Sequence, residues 1–99
     1  MIEIEFLELA QKELDESFVY YEGKQNGLGY RFIEDITMAI DLIQTYPFGW
    51  SKVSKNTRRC LLKRFPYGVI YQKRDDKILV IAIANLYKKP NYWVNRIKK

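Results

Sequence analysis

An uninterrupted apolar run, Ile78 to Ala84, constrains the fold more than any other stretch of this chain. The run contains no polar residue, and it lies between Asp76-Lys77 on one side and Asn85 on the other. A β-branched run of this length with polar boundaries is typical of a strand that is covered on both faces. The sequence therefore predicts a strand in the middle of a sheet here, with other elements packed above and below it.

The beginning of the chain changes from a strand pattern to a helix pattern. Residues 2–6 alternate apolar and polar side chains, which predicts a half-buried strand. From Leu7 to Tyr21 the apolar residues recur three or four positions apart, as they do on one face of a helix. The polar residues between them are predicted to form a solvated face: Gln11, Lys12, Glu13, Asp15, Glu16 and Glu22.

A second helix is predicted from Leu28 to Thr45, where apolar residues again recur at helical spacing. Gly27-Leu28-Gly29 is interpreted as the entry to this helix, and Pro47 is predicted to end it. The short link makes the pair an antiparallel helical hairpin. Residues 46–57 are predicted to be a loop, in which Phe48 and Trp50 are expected to cap the edge of the core in preference to binding a ligand.

Three strands are predicted in the second half of the chain, at residues 58–65, 67–73 and 78–84. Their connections are short, so an antiparallel meander is expected. Residues 88–99 are predicted to be a short helix or a docked coil. The fold class is therefore α+β, in the order β-α-α-β-β-β, with an antiparallel sheet and the N-terminal helical hairpin packed on one face. Residues 1–99 are expected to be one domain.

The charges are divided unequally between the two halves of the chain. Residues 1–50 contain three basic and ten acidic side chains, a net charge of −7, whereas residues 51–99 contain fourteen basic and two acidic side chains, a net charge of +12. This asymmetry predicts a basic face that meets nucleic acid or an acidic protein segment. The alternative interpretation is that the two halves partly neutralise each other in the folded protein.

Several classes of function are excluded by the residue types present. The chain has no histidine and only one cysteine, Cys60, so histidine-based catalytic triads and hydrolytic zinc sites are excluded and no internal disulfide can form. No glycine-rich phosphate loop follows a strand, and no cofactor or metal is predicted. No apolar run is long enough to span a membrane, and the acidic N-terminus lacks the basic region of a secretory signal, so a cytoplasmic location is expected.

The remaining candidate chemistry belongs to lysine, arginine and tyrosine. Cations bind phosphates, and tyrosines stack on bases or exchange protons. A lysine or tyrosine has an ordinary pKa near 10, so it needs a cationic or desolvated environment to act as a base near neutral pH. Arg58, Arg59, Lys63 and Arg64 could supply such a field. The competing interpretation is a solvated basic sheet edge that prevents pairing with other strands.

Three stretches of the chain, in this order, resemble the RelE/ParE superfamily of toxins from type II toxin–antitoxin modules, the plasmid stabilisation type. The first includes Tyr21-Glu22 and residues 26–32; the second includes Arg58-Arg59, residues 64–67 and Tyr71; the third includes residues 90–93 and Arg96. Together with the strand at Ile78 they extend over nearly the whole chain. The known fold of this superfamily, an antiparallel sheet with a helical hairpin, agrees with the periodicity.

The resemblance implies a growth inhibitor that is neutralised by a cognate antitoxin protein. RelE-like members cut mRNA on the ribosome, and ParE-like members poison DNA gyrase instead. For a RelE-like nuclease the resemblance implies four catalytic residues, namely Lys63, Arg64, Lys88 and Tyr92. It also implies residues that bind the target or the antitoxin: Arg58, Arg59, Tyr71, Lys89 and Arg96.

Two features favour the ParE-like branch and gyrase as the target. The pair Tyr92-Trp93 followed by Arg96 is a pattern of that branch, and the long helical hairpin is another. Asn85 stands where many members of the branch have a histidine, so any role of that histidine is absent here. This substitution motivates a third hypothesis, a toxin-like domain that has lost toxicity and only binds a partner.

Overall fold

The computed structural model describes residues 2–97, which form two helices and five strands, one strand more than predicted. The additional strand, Ser51–Lys52, lies within residues 46–57, which were predicted to be a loop. The strands are β1 (Glu3–Phe6), β2 (Ser51–Lys52), β3 (Arg58–Leu61), β4 (Tyr67–Arg74) and β5 (Lys77–Asn85). The helices are α1 (Glu8–Lys24) and α2 (Leu28–Thr45), and a short 3-10 helix at Val94–Arg96 follows β5. The α+β class and the order of the elements are confirmed, and α2 has the predicted bounds.

The sheet is mixed, with the strand order β1-β5-β4-β3-β2. The meander of β3, β4 and β5 is antiparallel as predicted, but β1 pairs with β5 in parallel, with Glu3 opposite Lys77 and Phe6 opposite Val80. Leu7 donates its N–H to the carbonyl oxygen of Val80, so the pairing continues up to the residue that precedes α1. The expectation of a purely antiparallel sheet is therefore corrected at its first strand.

The two helices cover one face of the sheet, which we call the helix face. Its core contains Phe32, Ile36 and Ile43 from α2 together with Val69 and Val80 from the sheet. The opposite face, the tail face, is covered by residues 86–97, and Trp93 is buried there against Ile70 and Ile81. Residues 78–84 of β5 are all buried, which confirms the prediction from the apolar run.

The link between the helices depends on one glycine and one carboxylate. Gly27 has φ +89°, a left-handed conformation that side-chain-bearing residues rarely adopt, and it precedes the first residue of α2. Glu22 accepts the backbone N–H of Gly27 and that of Gly29, both at 2.9 Å. A carboxylate here accepts hydrogen bonds from N–H groups that have no partner within the helix. Its negative charge also interacts favourably with the positive end of the α2 dipole. Glu22 therefore does not belong to the solvated face on which the periodicity placed it.

Two further sequence-based predictions change in the structure. The second predicted strand was expected to continue to Phe65, but β3 ends at Leu61, so Lys63 and Arg64 lie in the connection to β4. Trp50 packs against the helix-face core as expected, whereas Phe48 is 66% exposed and does not cap it. Cys60 is buried as a small apolar residue, and burial raises the pKa of its thiol to about 11.

Candidate functional site

A cleft of about 130 Å³ opens on the tail face, between the ends of β3 and β5 and the chain that follows β5. We call it the tail-face cleft. Its lining combines an apolar floor, which includes Ile70 and Ala84, with cations and an aromatic ring at the rim. The polar and aromatic residues at the rim include Arg59, Asn85, Lys88, Lys89 and Tyr92.

Arg59 reaches the cleft because its cross-strand neighbourhood contains a glycine. Arg59 pairs with Ile70, two residues from Gly68, on the tail face of the sheet. A Cβ added to Gly68 would lie 2.9 Å from Cγ and 3.0 Å from Cδ of Arg59. Such distances are shorter than van der Waals contact, so the aliphatic part of Arg59 occupies the space that a side chain at position 68 would need. Gly68 thus positions Arg59.

Replacing Gly68 with alanine should displace Arg59 without unfolding the protein. We expect a loss of about 1 kcal/mol in the free energy of unfolding, at the low end for overpacking, because an arginine side chain can swing aside. In a ¹⁵N NMR spectrum the Nε–H signal of Arg59 should shift. The Nε–H signal of Arg58, which lies on the helix face, is the internal control. Unchanged Arg59 signals would show that Gly68 does not position it.

Tyr92 lies beneath two cations, and its hydroxyl is directed away from solvent. The Lys88 ammonium is 5.5 Å from the ring centroid and the Arg96 guanidinium is 5.2 Å from it. The hydroxyl donates a hydrogen bond of 2.7 Å to Oε2 of Glu13. Burial, together with this bond and the charge of Glu13, raises the pKa of Tyr92 well above its usual value. Tyr92 therefore keeps its proton near neutral pH.

Glu13, on α1, binds both the short 3-10 helix at Val94–Arg96 and β5. Its Oε1 accepts a hydrogen bond from Nη1 of Arg96 at 2.8 Å, and its Oε2 accepts one from Nη2 at 2.9 Å. Oε1 also accepts a hydrogen bond from the backbone N–H of Ile83 at 3.0 Å. Arg96 donates in addition to the carbonyl oxygen of Ile81. The pairing of β5 with β1 ends at Val80, so the Ile81 carbonyl and the Ile83 N–H on this edge of β5 have no partner in β1. Arg96 and Glu13 supply the hydrogen bonds that these two backbone groups need. The hydrogen bonds that Arg96 donates to the Glu13 carboxylate raise the pKa of Arg96.

Lys63 and Arg64 lie apart from the other two predicted catalytic residues. Arg64 donates its backbone N–H and its Nε to the buried carboxylate of Asp35 on α2, at 2.8 and 2.9 Å. This bidentate hydrogen bonding raises the pKa of Arg64 and ties the β3–β4 connection to α2. Lys63 is exposed in the same connection. Among the described residues, the lining of the tail-face cleft includes Lys88 and Tyr92 but neither Lys63 nor Arg64.

Arg58 and Tyr71 hold the loop between α2 and β2. Nη1 of Arg58 donates to the carbonyl oxygen of Trp50 at 2.8 Å, and its guanidinium lies 5.5 Å from the ring centroid of Phe48. Tyr71 is fully buried and donates its hydroxyl to the carbonyl oxygen of Pro47 at 2.6 Å. Burial raises the pKa of Tyr71 to about 12, so this hydrogen bond donor persists across the physiological range.

Asn85 ends β5 at the rim of the tail-face cleft. Its Oδ1 accepts the backbone N–H of Tyr87 at 2.9 Å, which is the arrangement of an Asx turn. This bond turns the chain from β5 towards Lys88 and Lys89. The Asn85 side chain thus has a local backbone partner.

Most described cations of the second half of the chain have no carboxylate partner among the described residues. Residues 51–97 contain twelve lysines and arginines. Within the part of the chain that the structure describes, ion pairs involve Arg64, Lys77 and Arg96, each with a carboxylate from the first half of the chain. The two halves therefore neutralise each other at three positions, and the other nine described cations form no ion pair with a described carboxylate.

Sequence reasoning missed three residues that position other side chains, namely Glu13, Asp35 and Gly68. Glu13 and Asp35 stand among other acidic residues on helices, and no one-dimensional signal distinguishes an inward carboxylate from a solvated one. Gly68 follows Tyr67 at the start of a predicted strand, where an isolated glycine indicates a close approach of another group. The isolated glycine could therefore have predicted that another side chain packs closely against position 68.

No group of three or more acidic, cysteine or histidine side chains within residues 2–97 is arranged to hold a metal ion. Neither described helix is long and apolar enough to cross a membrane.

A mixed sheet backed by a helical hairpin, with a basic cleft on its other face, defines a small α+β protein of the RelE/ParE type. A sequence model described as the ParE toxin of the type II toxin–antitoxin system, parDE, matches residues 4–85. The chain belongs to this family of toxins. Its fold is similar to that of a chain from a solved structure, the chromosomal ParDE toxin–antitoxin system from P. aeruginosa, with a TM-score of 0.73, 18% identity, and coverage of 87% of this chain and 97% of that chain. No match was found among curated proteins.

Proposed function

We propose that this chain is a growth-inhibiting toxin that acts in the cytoplasm by poisoning DNA gyrase, and that a cognate antitoxin holds it inactive. The observation that carries this proposal is its membership of the ParE toxin family. In this proposal the target contacts the tail-face cleft through three cations without carboxylate partners in the described chain, namely Arg59, Lys88 and Lys89. All 99 residues act as one toxin domain.

The environment of Tyr92 favours gyrase over mRNA as the target. Cleavage by the 2′-hydroxyl of RNA needs a group that removes its proton, with a pKa near the working pH. The Tyr92 hydroxyl donates to Glu13, and its pKa is raised instead of lowered. Arg64 is bound to Asp35 in another part of the fold. The four residues implied for a nuclease therefore lack a shared site with a poised base.

Ribosome-dependent mRNA cleavage is the second candidate, and one observation favours it. The cations Lys88, Lys89 and Arg59 line the same cleft as Tyr92, which is an arrangement that suits a phosphate chain with a base stacked on the ring. In that case Lys88→Ala should abolish cleavage, because Lys88 lines the cleft and lies 5.5 Å from the Tyr92 ring centroid. Full cleavage in Lys63→Ala, at an exposed position outside the cleft lining, would exclude Lys63 from the site.

The proposal predicts that the purified protein inhibits supercoiling of relaxed plasmid by gyrase and leaves mRNA intact in a translating extract. The Arg59→Ala/Lys88→Ala variant should require at least about tenfold more protein for the same inhibition, which corresponds to about 1.4 kcal/mol of lost binding. Arg74→Ala is the matched control, because Arg74 is exposed and lies outside the cleft lining. Inhibition should be followed by gel electrophoresis of the plasmid.

Three outcomes would replace this proposal. Messenger RNA cut at codon boundaries with active gyrase would identify a RelE-like nuclease. Equal inhibition by the cleft variant and wild type would remove the tail-face cleft as the gyrase-binding site. Induced expression with no effect on growth would favour a domain that only binds a partner, the hypothesis that Asn85 motivates.

A further inference from the structure

A hairpin formed by β2, the turn after it and the start of β3 lies at the outer edge of the sheet. We call residues 51–59 the edge hairpin. Val53 donates its N–H to the carbonyl oxygen of Thr57 at 3.0 Å, and the hydroxyls of Ser54 and Thr57 share a hydrogen bond of 2.5 Å. The tip consists of two exposed polar residues, Lys55 and Asn56. The turn is therefore held by its own hydrogen bonds, with a polar and cationic tip.

A basic cleft lies on the helix-face side of the edge hairpin. We call it the edge cleft; its volume is about 390 Å³. Lys52 and Arg58 are directly opposite each other in β2 and β3, so their side chains lie on the same face of the sheet. Among the described residues, the lining includes no carboxylate but includes four cations: Lys52, Lys55, Arg58 and Lys73. None of the ion pairs within residues 2–97 involves any of these four.

The tail-face cleft lies on the other side of the same hairpin. Arg59 lines it and directly follows Arg58, which lines the edge cleft. Successive side chains of a strand lie on opposite faces of the sheet, so the two clefts are back to back. The tail-face cleft adds three cations, Arg59, Lys88 and Lys89, and its described lining likewise includes no carboxylate. The edge hairpin therefore has cations on both of its faces.

The dimensions of the edge hairpin suit the major groove of duplex DNA. A sheet with side chains on both faces is about 10 Å thick, because stacked sheets pack at that spacing. The major groove is about 12 Å wide and about 8.5 Å deep, and one phosphate backbone follows each of its sides. A sheet edge that enters the groove therefore directs the side chains of its two faces towards the two backbones. Lysine and arginine on both faces then bind phosphates of both strands.

We propose that the edge hairpin enters the major groove of duplex DNA edge-on. The cations of the edge cleft bind the phosphates of one strand, those of the tail-face cleft bind the phosphates of the other strand, and Asn56 at the tip faces the base edges. A protein partner would need acidic residues on two facing surfaces, whereas duplex DNA presents two rows of phosphates along every groove. A phosphate contact on each side fixes the position of the hairpin in the groove.

DNA binding goes beyond the proposed inhibition of gyrase and does not rest on it. The three cations of the tail-face cleft are those that meet the target in the proposed function. In a complex of gyrase with DNA they would meet the DNA. Binding to DNA is measured with the purified chain alone, so it can fail while inhibition of gyrase is still observed. Inhibition of gyrase by a chain that binds no DNA would remove this inference and leave the proposed function in place.

The test is binding of the full chain to a fluorescein-labelled DNA duplex of about 20 base pairs, measured by fluorescence anisotropy at several salt concentrations. If the seven cations of the two clefts each bind a phosphate, the logarithm of the association constant should fall with the logarithm of the salt concentration at a slope of about −6. Lys52→Gln/Lys55→Gln should weaken binding at least about tenfold and make the slope shallower by about 2. Lys12→Gln/Lys24→Gln removes the same charge from exposed positions of α1 and should have little effect.

Two further measurements distinguish insertion into the groove from attraction by charge alone. Lys89→Gln, on the tail-face side, should make the slope shallower by about 1, because both faces of the hairpin contact phosphates. Guanine N7 atoms lie in the major groove, so bound protein should protect them from methylation by dimethyl sulfate. The melting temperatures of the Lys52/Lys55 and Lys89 variants should equal that of the wild type, because these side chains are exposed.

An RNA duplex of the same sequence should bind at least about tenfold more weakly, because the major groove of A-form RNA is deep and narrow. Equal affinity for the RNA duplex, or tighter binding of the single strand dT20, would overturn the proposal. So would an unchanged salt slope in either the Lys52/Lys55 or the Lys89 variant, or unprotected guanines. Absence of binding at about 1 mM protein in dilute salt would overturn it as well.

Discussion

Replacing Glu13 with alanine should lower the free energy of unfolding by about 3 kcal/mol, a large fraction of the stability of a domain this size. The change leaves the Arg96 guanidinium, whose side chain is only 15% exposed, without its carboxylate. It also removes the partners of the Ile83 N–H and the Tyr92 hydroxyl. The expected loss of about 3 kcal/mol is at the lower end of the range for breaking a buried ion pair, because the side chains of Glu13 and Arg96 both remain partly exposed.

Denaturation by guanidinium chloride, with hydrogen exchange of the Ile83 amide, measures this effect. Glu13→Gln should cost less than alanine, because an amide oxygen can still accept the Ile83 N–H although the charge is lost. Glu16→Ala, one turn away on the exposed side of α1, is the control and should change stability by less than about 0.5 kcal/mol. Equal stability of the Glu13 and Glu16 variants would mean that the ion pair between Glu13 and Arg96 does not hold residues 92–96 on the tail face.

Helices and strands could be predicted from the sequence where one hydrophobic pattern, or one proline or glycine, determines them. The apolar run at residues 78–84 could only be an interior strand, and Pro47 with Gly27 marks the ends of α2. The parallel pairing of β1 was not predictable, because alternation predicts a strand and says nothing about its neighbour. The order of the sheet depends on packing between elements distant in sequence, and here α1 and the edge of β5 determine where β1 lies.

Residues that carry the family resemblance are mainly structural in this protein. Tyr21, Phe32, Phe65 and Tyr67 form one aromatic cluster on the helix face, with ring centroids 4.9 to 6.0 Å apart. Burial raises the pKa of Tyr21 to about 12, consistent with a role in packing. Such motifs therefore predict the fold well and the target poorly, since the cations that could meet a target lie mostly outside them.

The division of charge was predictable from the sequence, but the partners of individual charges were not. A net charge of +12 in the second half predicts a basic face, and nine of its described cations lack a carboxylate partner. The inward acids Glu13, Glu22 and Asp35 look like their solvated neighbours in the sequence. Only the fold brings Arg96, the start of α2 and the β3–β4 connection to them.

The same substitution, glycine to alanine, should have opposite effects at two positions of the helical hairpin. A Cβ at Gly29 would lie 2.8 Å from the backbone oxygen of Phe18 and 2.9 Å from Cβ of Glu22. Backbone atoms cannot swing aside, so α1 and α2 must separate and the Glu22 hydrogen bond to Gly29 must lengthen. We expect Gly29→Ala to lower the free energy of unfolding by about 2–3 kcal/mol, which outweighs the gain in helix propensity of at most about 1 kcal/mol.

Gly23→Ala isolates that propensity gain, because a Cβ there meets no atom within 4 Å and Gly23 lies inside α1. It should raise the free energy of unfolding by about 0.5–1 kcal/mol. The two variants should therefore differ by roughly 3 kcal/mol in guanidinium denaturation, with similar slopes. Equal and small effects at both positions would contradict the close crossing of the helices. Gly→Ala has the same effect on the unfolded chain at both positions. Stability changes of opposite sign would therefore show that position 29 requires glycine because α1 packs closely against it.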